Sequence, residues 1–451
     1  MASKQAVHMK HGQGETSYAR NSSFQKAEQN RMKPLIEEVI TDLCSSTSTL
    51  LHGKIVIADL GCSSGPNALA LVSTAINAIH NHCLQLQQPP PEIFVLLNDL
   101  PDTDFNTVVK SLVTLRQSKN PVVVTGVAPG SFYERLFTSN SLHVVCASNS
   151  LQWLSKAPED LTRNRIPAFD IDEHARREML PMVREAYEKQ FRKDFKLFLE
   201  LRAKELVSGG RMVISLVGTR SDVIASKFSL FPGIVAQILS VMVAEGVIDK
   251  AKFDSFYVPL HGPSIEEVRE IIKEEGSFFI KEMRVHDPTA EMNIALSSPS
   301  KFVNNLIALF EPIIVQHFGE VMDEFVRAAE LHWSLDVDGS LREERREWSG
   351  EQEEIEVVAV KQEPEEIERR GLVGPEDFLD DFDAVAVAAN IAERSLREEA
   401  ERRCHDEELE DLILKQVVAA NLAAKDNDDE RRRIREEQRE KFIDLVSSDE
   451  D

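Results

Sequence analysis

The chain has 451 residues, 42% of them apolar, and a net charge of −25. That length holds one large domain or two ordinary ones with a substantial core. No run of about eighteen apolar residues occurs, which excludes a membrane-spanning helix, and the acidic balance argues against a general nucleic-acid binder.

The N-terminal stretch MASKQAVHMKHGQGETSYARN has no apolar signal core, so secretion is not expected and a cytoplasmic location is. Residues 55–60, IVIADL, form the first apolar run and lead directly into GCSSGPN. A helical pattern follows over 68–83, then a second apolar run over 93–98 and a helical pattern over 105–117. Strand signals recur at 122–126, 142–147 and 211–217, with a long helical pattern over 173–207 between the last two. Alternating strands and helices predict parallel strands with crossover helices, a doubly wound α/β sheet. The near-continuous apolar strands fit a sheet covered on both faces. Residues 228–245 and 299–333 predict a further helical layer. Cys62, Cys83 and Cys146 lie in or beside apolar segments, and with Cys44 and Cys404 they show no paired metal spacing. The first three read as reduced, buried thiols.

Beyond about residue 340 the composition changes. Residues 341–451 carry −18 of the charge, leaving −7 for the rest. The stretches AVAVAANIAERSLREEAERR and DEELEDLILKQVVAANLAAK have helical spacing, but helices of this length are weak in isolation. The chain is therefore expected to divide into a domain at 1–345 and an acidic, largely disordered tail at 346–451. Within the tail, VKQE around Lys361 fits a SUMO-attachment pattern, and FIDLVSSDED at the end is an apolar strand followed by acids. The latter suits a SUMO contact by strand addition.

In an open α/β sheet, ligands bind beyond the carboxyl ends of the strands. The turn at Gly61 and Gly65 lets backbone approach a ligand, and the helix that follows offers free N–H groups. It lacks the third glycine of GxGxxG and the GK[ST] ending of a P-loop. An adenosine ligand without phosphates therefore fits better than a pyrophosphate. Asp99, at the end of the second strand in LLNDLPDTDFN, suits a ribose diol. The alternative is a plain tight turn with Asp99 as a helix cap.

The ordered set MKHGQGETSYARNSSFQ, DLGCSSGPN, LLNDLPDTDFN, GSFYERLF, ASNSLQWLS, GGRMVISLVG and FYVPLHGPS resembles the plant SABATH methyltransferases, over roughly residues 7–335. The resemblance implies a Rossmann-like class I methyltransferase core with a helical cap. It implies S-adenosyl-L-methionine as cofactor and an O-methyltransferase forming the methyl ester of a small aromatic, jasmonate-like or auxin-like carboxylic acid. Two alternatives stay open: a cofactor-binding homologue of weak or no activity, and N-methylation of a xanthine-type acceptor. The expected partner is the small acid, with a homodimer left open.

The resemblance also implies a site. Tyr18 and Ser22 match positions that fold over the cofactor. Asp59, Cys62 and Asn67 match the turn around its methionine part. Asp99 would bind the ribose hydroxyls, Leu100 pack on the adenine, and Ser131 and Phe132 border it. On the acceptor side Lys10, Gln25 and Trp153 match pocket positions, with Asn149 and Gln152 beside them. A side-chain amide and an indole N–H can both donate to a carboxylate. No catalytic base is expected, since a carboxylic acid with a pKa of about 4 is already a nucleophile at neutral pH. His143, inside an apolar strand, reads as structural.

The sequence departs from the commoner family pattern where the acceptor is chosen. Asn149 stands where many relatives carry Tyr, Gln152 where they carry His or Met, and Pro232 where they carry Trp. Asp254 and Phe256 match residues around a magnesium ion in some relatives. Tyr257 replaces the Asn that completes that set, which makes magnesium doubtful.

Overall fold

A computed structural model describes residues 8–45, 53–115, 121–170, 172–220, 230–295, 297–334 and 352–362. They belong to the first of two compact units, Met1–Arg370 and Gly371–Asp451. Both helical stretches of the tail and FIDLVSSDED lie outside the described residues.

The strands are β1 Lys54–Leu60, β2 Glu92–Asp99, β3 Val123–Pro129, β4 Leu142–Ser148, β5 Leu206–Thr219, β6 Phe278–His286 and β7 Gln352–Lys361. They form a seven-stranded sheet in the order β3-β2-β1-β4-β5-β7-β6. The five expected strands are mutually parallel. Only β7 is antiparallel, and it pairs with β5 on one side and β6 on the other. Strand order reverses beside β1, where β2 and β4 flank it, so a crevice opens at the carboxyl ends there.

Side chains alternate across the sheet with the period of a strand. Ile55 and Ile57 of β1 join a core beneath helices α1 Ser23–Ser45, α2 Ala70–Gln85 and α3 Phe105–Leu115. Val56, Ala58 and Leu60 face the opposite core. That second core is filled by α5 Glu173–Glu205, which follows the short α4 Glu159–Asn164, and by α6 Leu230–Ala244. The short α7 Lys250–Asp254 leads to α8 Ile265–Glu275, and α9 Thr289–Ala295 precedes α10 Pro299–Phe318 and α11 Met322–Ser334. The long α5 contributes Tyr187, Phe191, Phe195 and Phe198, all at most 1% exposed.

Three differences from the sequence reading stand out. The pattern over 299–333 is two helices, because Gly319 at φ 89° breaks it after Phe318. The helix over 173–207 yields at Leu206 to the start of β5. The sheet continues past the expected boundary at residue 345, since β7 spans Gln352–Lys361 and lies between β5 and β6. Its first half, QEEIE, reads as acidic tail, yet Glu354 and Glu356 are at most 1% exposed. Their partners come from distant parts of the chain: Arg31 on α1 pairs with Glu354, and His286 Nε2 on β6 lies 3.0 Å from Glu356 Oε2. Lys361 closes the strand, donating to Leu206 O at 2.5 Å and Asn140 Oδ1 at 3.1 Å, with Val360 buried before it. The first two residues of the VKQE pattern thus belong to the sheet.

Among the described residues no helix is long and apolar enough to cross a membrane. Cys44, Cys62, Cys83 and Cys146 are free and buried.

Candidate active site

The turn after β1 is tied to the end of β2. Gly61 and Cys62 both donate their backbone N–H to Asn98 O, at 2.9 and 3.0 Å. The Asn98 amide in turn donates to Ala128 O near the end of β3 and to Gly130 O just beyond it, at 2.6 and 2.9 Å. Gly61 and Ser63 are left-handed, at φ 75° and 53°. A Cβ on Gly61 would stand 2.5 Å from the Ser150 Cβ, and one on Gly65 would stand 2.9 Å from the Ala19 Cβ. The two glycines therefore let the loop after β4 and the N-terminal segment close on this turn.

Asp99 ends β2 with its carboxylate held on both oxygens. Ser63 N donates to Oδ2 at 2.6 Å. Leu100 N and Thr103 Oγ1 donate to Oδ1 at 2.7 and 2.8 Å. Burial holds the carboxyl above the usual carboxylate range, against the pull of these donors. Nearby Asp59, only 2% exposed, is pushed up to about 7 by burial and then by the charge of Asp99.

The loop over 130–137 is fixed by a fully buried pair on α5. Arg202 donates to Phe132 O and Glu134 O at 3.0 and 3.1 Å. Glu205 Oε1 accepts from Leu136 N and Phe137 N at 2.8 and 3.0 Å. Arg202 Nε approaches Glu205 Oε2 to 2.8 Å as an ion contact without hydrogen-bond alignment. Each charge thereby meets both its opposite and backbone groups, the condition for burying it at tolerable cost.

The N-terminal segment straps over the same region. Lys10 N donates to Ala308 O at 2.9 Å, and Tyr18 N to Lys10 O at 3.0 Å. Asn67 Nδ2 donates to Ser22 O at 3.1 Å and Ser22 Oγ at 2.9 Å.

These elements enclose a cavity of about 460 Å³, the size of a small-molecule site. Of the expected cofactor residues, Tyr18, Asp99, Leu100, Ser131 and Phe132 line it. So do Gln25, Asn149, Gln152 and Trp153 of the expected acceptor residues. Trp153 is set by an isolated bridge to Leu260, by its carbonyl accepting from Tyr133 Oη at 2.8 Å, and by its ring 6.0 Å from Phe310. Asn149 is left-handed at φ 49°. Its backbone N–H donates to Ser215 O at 3.0 Å, and its Nδ2 to Glu354 Oε1 at 3.3 Å.

Other expected residues do not border the cavity. Ser22, Asp59, Cys62 and Asn67 are buried beside the turn. Lys10 is directed to Glu311, with Nζ 2.5 Å from Oε2. The expected magnesium residues are engaged elsewhere: Asp254 accepts from Lys250 at 2.8 Å, and Phe256 is core, 5.1 Å from the Phe318 ring. Tyr257 donates to Ile166 O at 2.9 Å. No three His, Cys, Asp or Glu side chains converge on a point among the described residues. His143 serves the sheet, its Nδ1 accepting from Val56 N at 3.1 Å.

Several contributors were not expected from the sequence, and four bear on the acceptor side and the strap. His8 and Met9 join the lining from the strap, and Gln352 from β7, with Glu354 behind Asn149. The one signal for the last two was the β-branched alternation IEVVAV, which the flanking acids obscured.

A family model for SAM-dependent carboxyl methyltransferases matches residues 4–348. Two maize proteins, anthranilate O-methyltransferase 1 and inactive anthranilate O-methyltransferase 1, are each 35% identical over 349 residues, covering 71% of this chain and 90% of the relative. The solved structure of a loganic acid methyltransferase with SAH superposes with a TM-score of 0.68 at 26% identity. That match covers 79% of this chain and 99% of the other.

Proposed function

The chain belongs to the SAM-dependent carboxyl methyltransferase family, and from that premise we propose that it forms the methyl ester of a small carboxylic acid, using Gln25 and Trp153 to hold the carboxylate. The observation that carries this reading is one cavity bordered both by Asp99, Leu100 and Phe132 and by Gln25 and Trp153.

The residues fit S-adenosyl-L-methionine. Gly61 borders the cavity, and the missing Cβ lets Ser150 of the loop after β4 pack directly on the turn, which fixes the backbone on which a ligand's aliphatic part would rest. Asp99 accepts from Ser63 N, Leu100 N and the Thr103 hydroxyl, and of about four carboxylate acceptor sites the remaining one, on Oδ2, is open to a ribose hydroxyl. Leu100 and Phe132 offer apolar faces to a purine. The cofactor, when bound, supplies a methyl group already activated on a sulfonium.

The chain's own work is then placement. The Gln25 amide and the Trp153 indole donate to the two carboxylate oxygens and fix which one faces the methyl group. Tyr18, in the strap, closes the cavity over the cofactor side and excludes water. Orientation of this kind is worth about 7–11 kcal/mol in favourable cases. No proton need leave the acceptor, since an acid with a pKa of about 4 is ionised before it binds.

The test is methyl transfer by the full chain from S-adenosyl-L-methionine to a panel containing benzoate, 2-aminobenzoate, jasmonate, indole-3-acetate and a xanthine, with each product assigned as ester or N-methyl compound by chromatography against authentic standards. A methyl ester is expected. Cofactor binding with no ester from any acid would leave a binding homologue, and an N-methylated xanthine would replace this reading with the other alternative.

A further inference from the structure

Helix α5 carries three buried charged side chains, Asp194, Arg202 and Glu205. Spacings of eight and three residues keep them on one side of a helix, and eight residues span about 12 Å. Arg202 and Glu205 hold the loop over 130–137, which carries Phe132. Asp194, 2% exposed, holds the segment that follows β4. Its Oδ2 accepts from Ser155 N at 2.8 Å, and its Oδ1 from Ser155 Oγ at 2.8 Å. Gln190 Nε2, one turn back on α5, donates to Oδ1 at 2.9 Å.

Hydrogen bonds to an ionised acceptor are roughly twice as strong as those between neutral groups, so Asp194 pins the Ser155 backbone to α5. Ser155 lines the cavity two residues after Trp153. The two loops are also tied to each other, since Tyr133 Oη donates to Trp153 O at 2.8 Å. Burial, and then the charge of Asp194, push the Tyr133 hydroxyl well above its ordinary pKa, so it stays a donor. Across the segment, Leu154 N donates to Pro259 O at 2.8 Å, and Trp153 bridges Leu260. Those are backbone contacts to another part of the chain. Asp194 instead refers the Trp153 segment to the helix that also holds Phe132.

We propose that Asp194 is a positioning residue for methyl transfer: through Ser155 it sets the Trp153 indole at a fixed distance from the Phe132 loop, with α5 as the rigid spacer. This rests on the carboxyl methyltransferase reading, in which Trp153 orients the carboxylate and Phe132 borders the cofactor. Transfer requires the acceptor oxygen, the methyl carbon and the sulfur in line, and a misplacement of about 1 Å can cost on the order of a hundredfold. A helix is suited to hold such a separation because its backbone hydrogen bonds are internal.

The test uses the full chain and Asp194→Ala, alone and combined with Trp153→Phe. Asp194→Ala should lower kcat on the best acid at least fivefold, and by no more than Trp153→Phe does. Its affinity for S-adenosyl-L-homocysteine should stay within twofold of the parent. In the Trp153→Phe background the same change should cost less than twofold, because the group it acts through is already gone. A general loss of packing would instead slow both backgrounds equally. The second readout is fluorine NMR of the chain labelled with 5-fluorotryptophan and saturated with S-adenosyl-L-homocysteine. The Trp153 signal, assigned by its loss in Trp153→Phe, should move by more than its linewidth in Asp194→Ala. If Asp194→Ala does not fold, Ser155→Ala, which removes one of the two bonds, should show the same pattern with at least a twofold loss of kcat. An unmoved Trp153 signal, or equal losses in the two backgrounds, overturns the proposal. If no acid is turned over, the ester-forming reading fails separately, and the fluorine signal alone decides whether Asp194 sets Trp153.

Discussion

Ser63 donates its backbone N–H to the Asp99 carboxylate at 2.6 Å, so the turn after β1 and the end of β2 are locked to each other. A ligand held by Asp99 is thereby placed over the turn without further adjustment. Asp99→Ala should lower the affinity for S-adenosyl-L-methionine at least tenfold, since hydrogen bonds to a charged group are worth about 1.5–3 kcal/mol each. Isothermal titration of a variant with native circular dichroism checks this, and unchanged affinity would remove Asp99 from the site.

Trp153→Phe keeps a ring against Phe310 and deletes the indole N–H. Transfer to the best acid should slow by roughly ten- to a hundredfold, the scale of one hydrogen bond to a charged group. Cofactor affinity should not move. A variant as fast as the parent chain would show that the carboxylate is held by other groups.

Cofactor affinity should depend on pH through Asp59. Its carboxyl is pushed up to about 7 by burial and by Asp99, so it is largely protonated at pH 6 and ionised at pH 8. Asp99 and the Cys62 and Cys146 thiols face it, and none of them supplies a positive charge. A cationic cofactor favours the ionised form. Affinity should therefore rise by about tenfold from pH 6 to pH 8, and Asp59→Asn should flatten the profile. With saturating cofactor the turnover of an ionised acid should stay level across the same range.

Ending the chain after residue 351 removes β7 and should abolish the folded state, because β5 and β6 each lose their shared partner. Ending it after residue 370 keeps β7 and should preserve both fold and turnover. Circular dichroism and melting of the two truncations decide between these outcomes. A stable, active chain ending at 351 would mean that β7 is dispensable.

Arg202→Met should destabilise the protein by about 3–5 kcal/mol, because it strands the fully buried Glu205 charge and leaves Phe132 O and Glu134 O without donors. Denaturant unfolding monitored by tryptophan fluorescence measures it. A loss below about 1 kcal/mol would mean that water reaches the loop and replaces the guanidinium.

The five parallel strands were legible because a strand covered on both faces must be apolar along its whole length. The turn and Asp99 were legible because glycine and an acid at those places have few other uses. β7 was not, since Glu354 and Glu356 find their partners in Arg31 and His286, residues that no local window contains. The amphipathic β6 and the helix α1 carry weaker patterns, and neither was separated from its surroundings. Lys10 illustrates another limit: its match to a pocket position says nothing about Glu311, which takes up its ammonium.

The strand order also sets a timetable for synthesis. Both neighbours of β7 leave the ribosome before it does, so a growing chain carries open strand edges on β5 and β6 until residue 361 emerges. Such edges are templates for pairing with other chains.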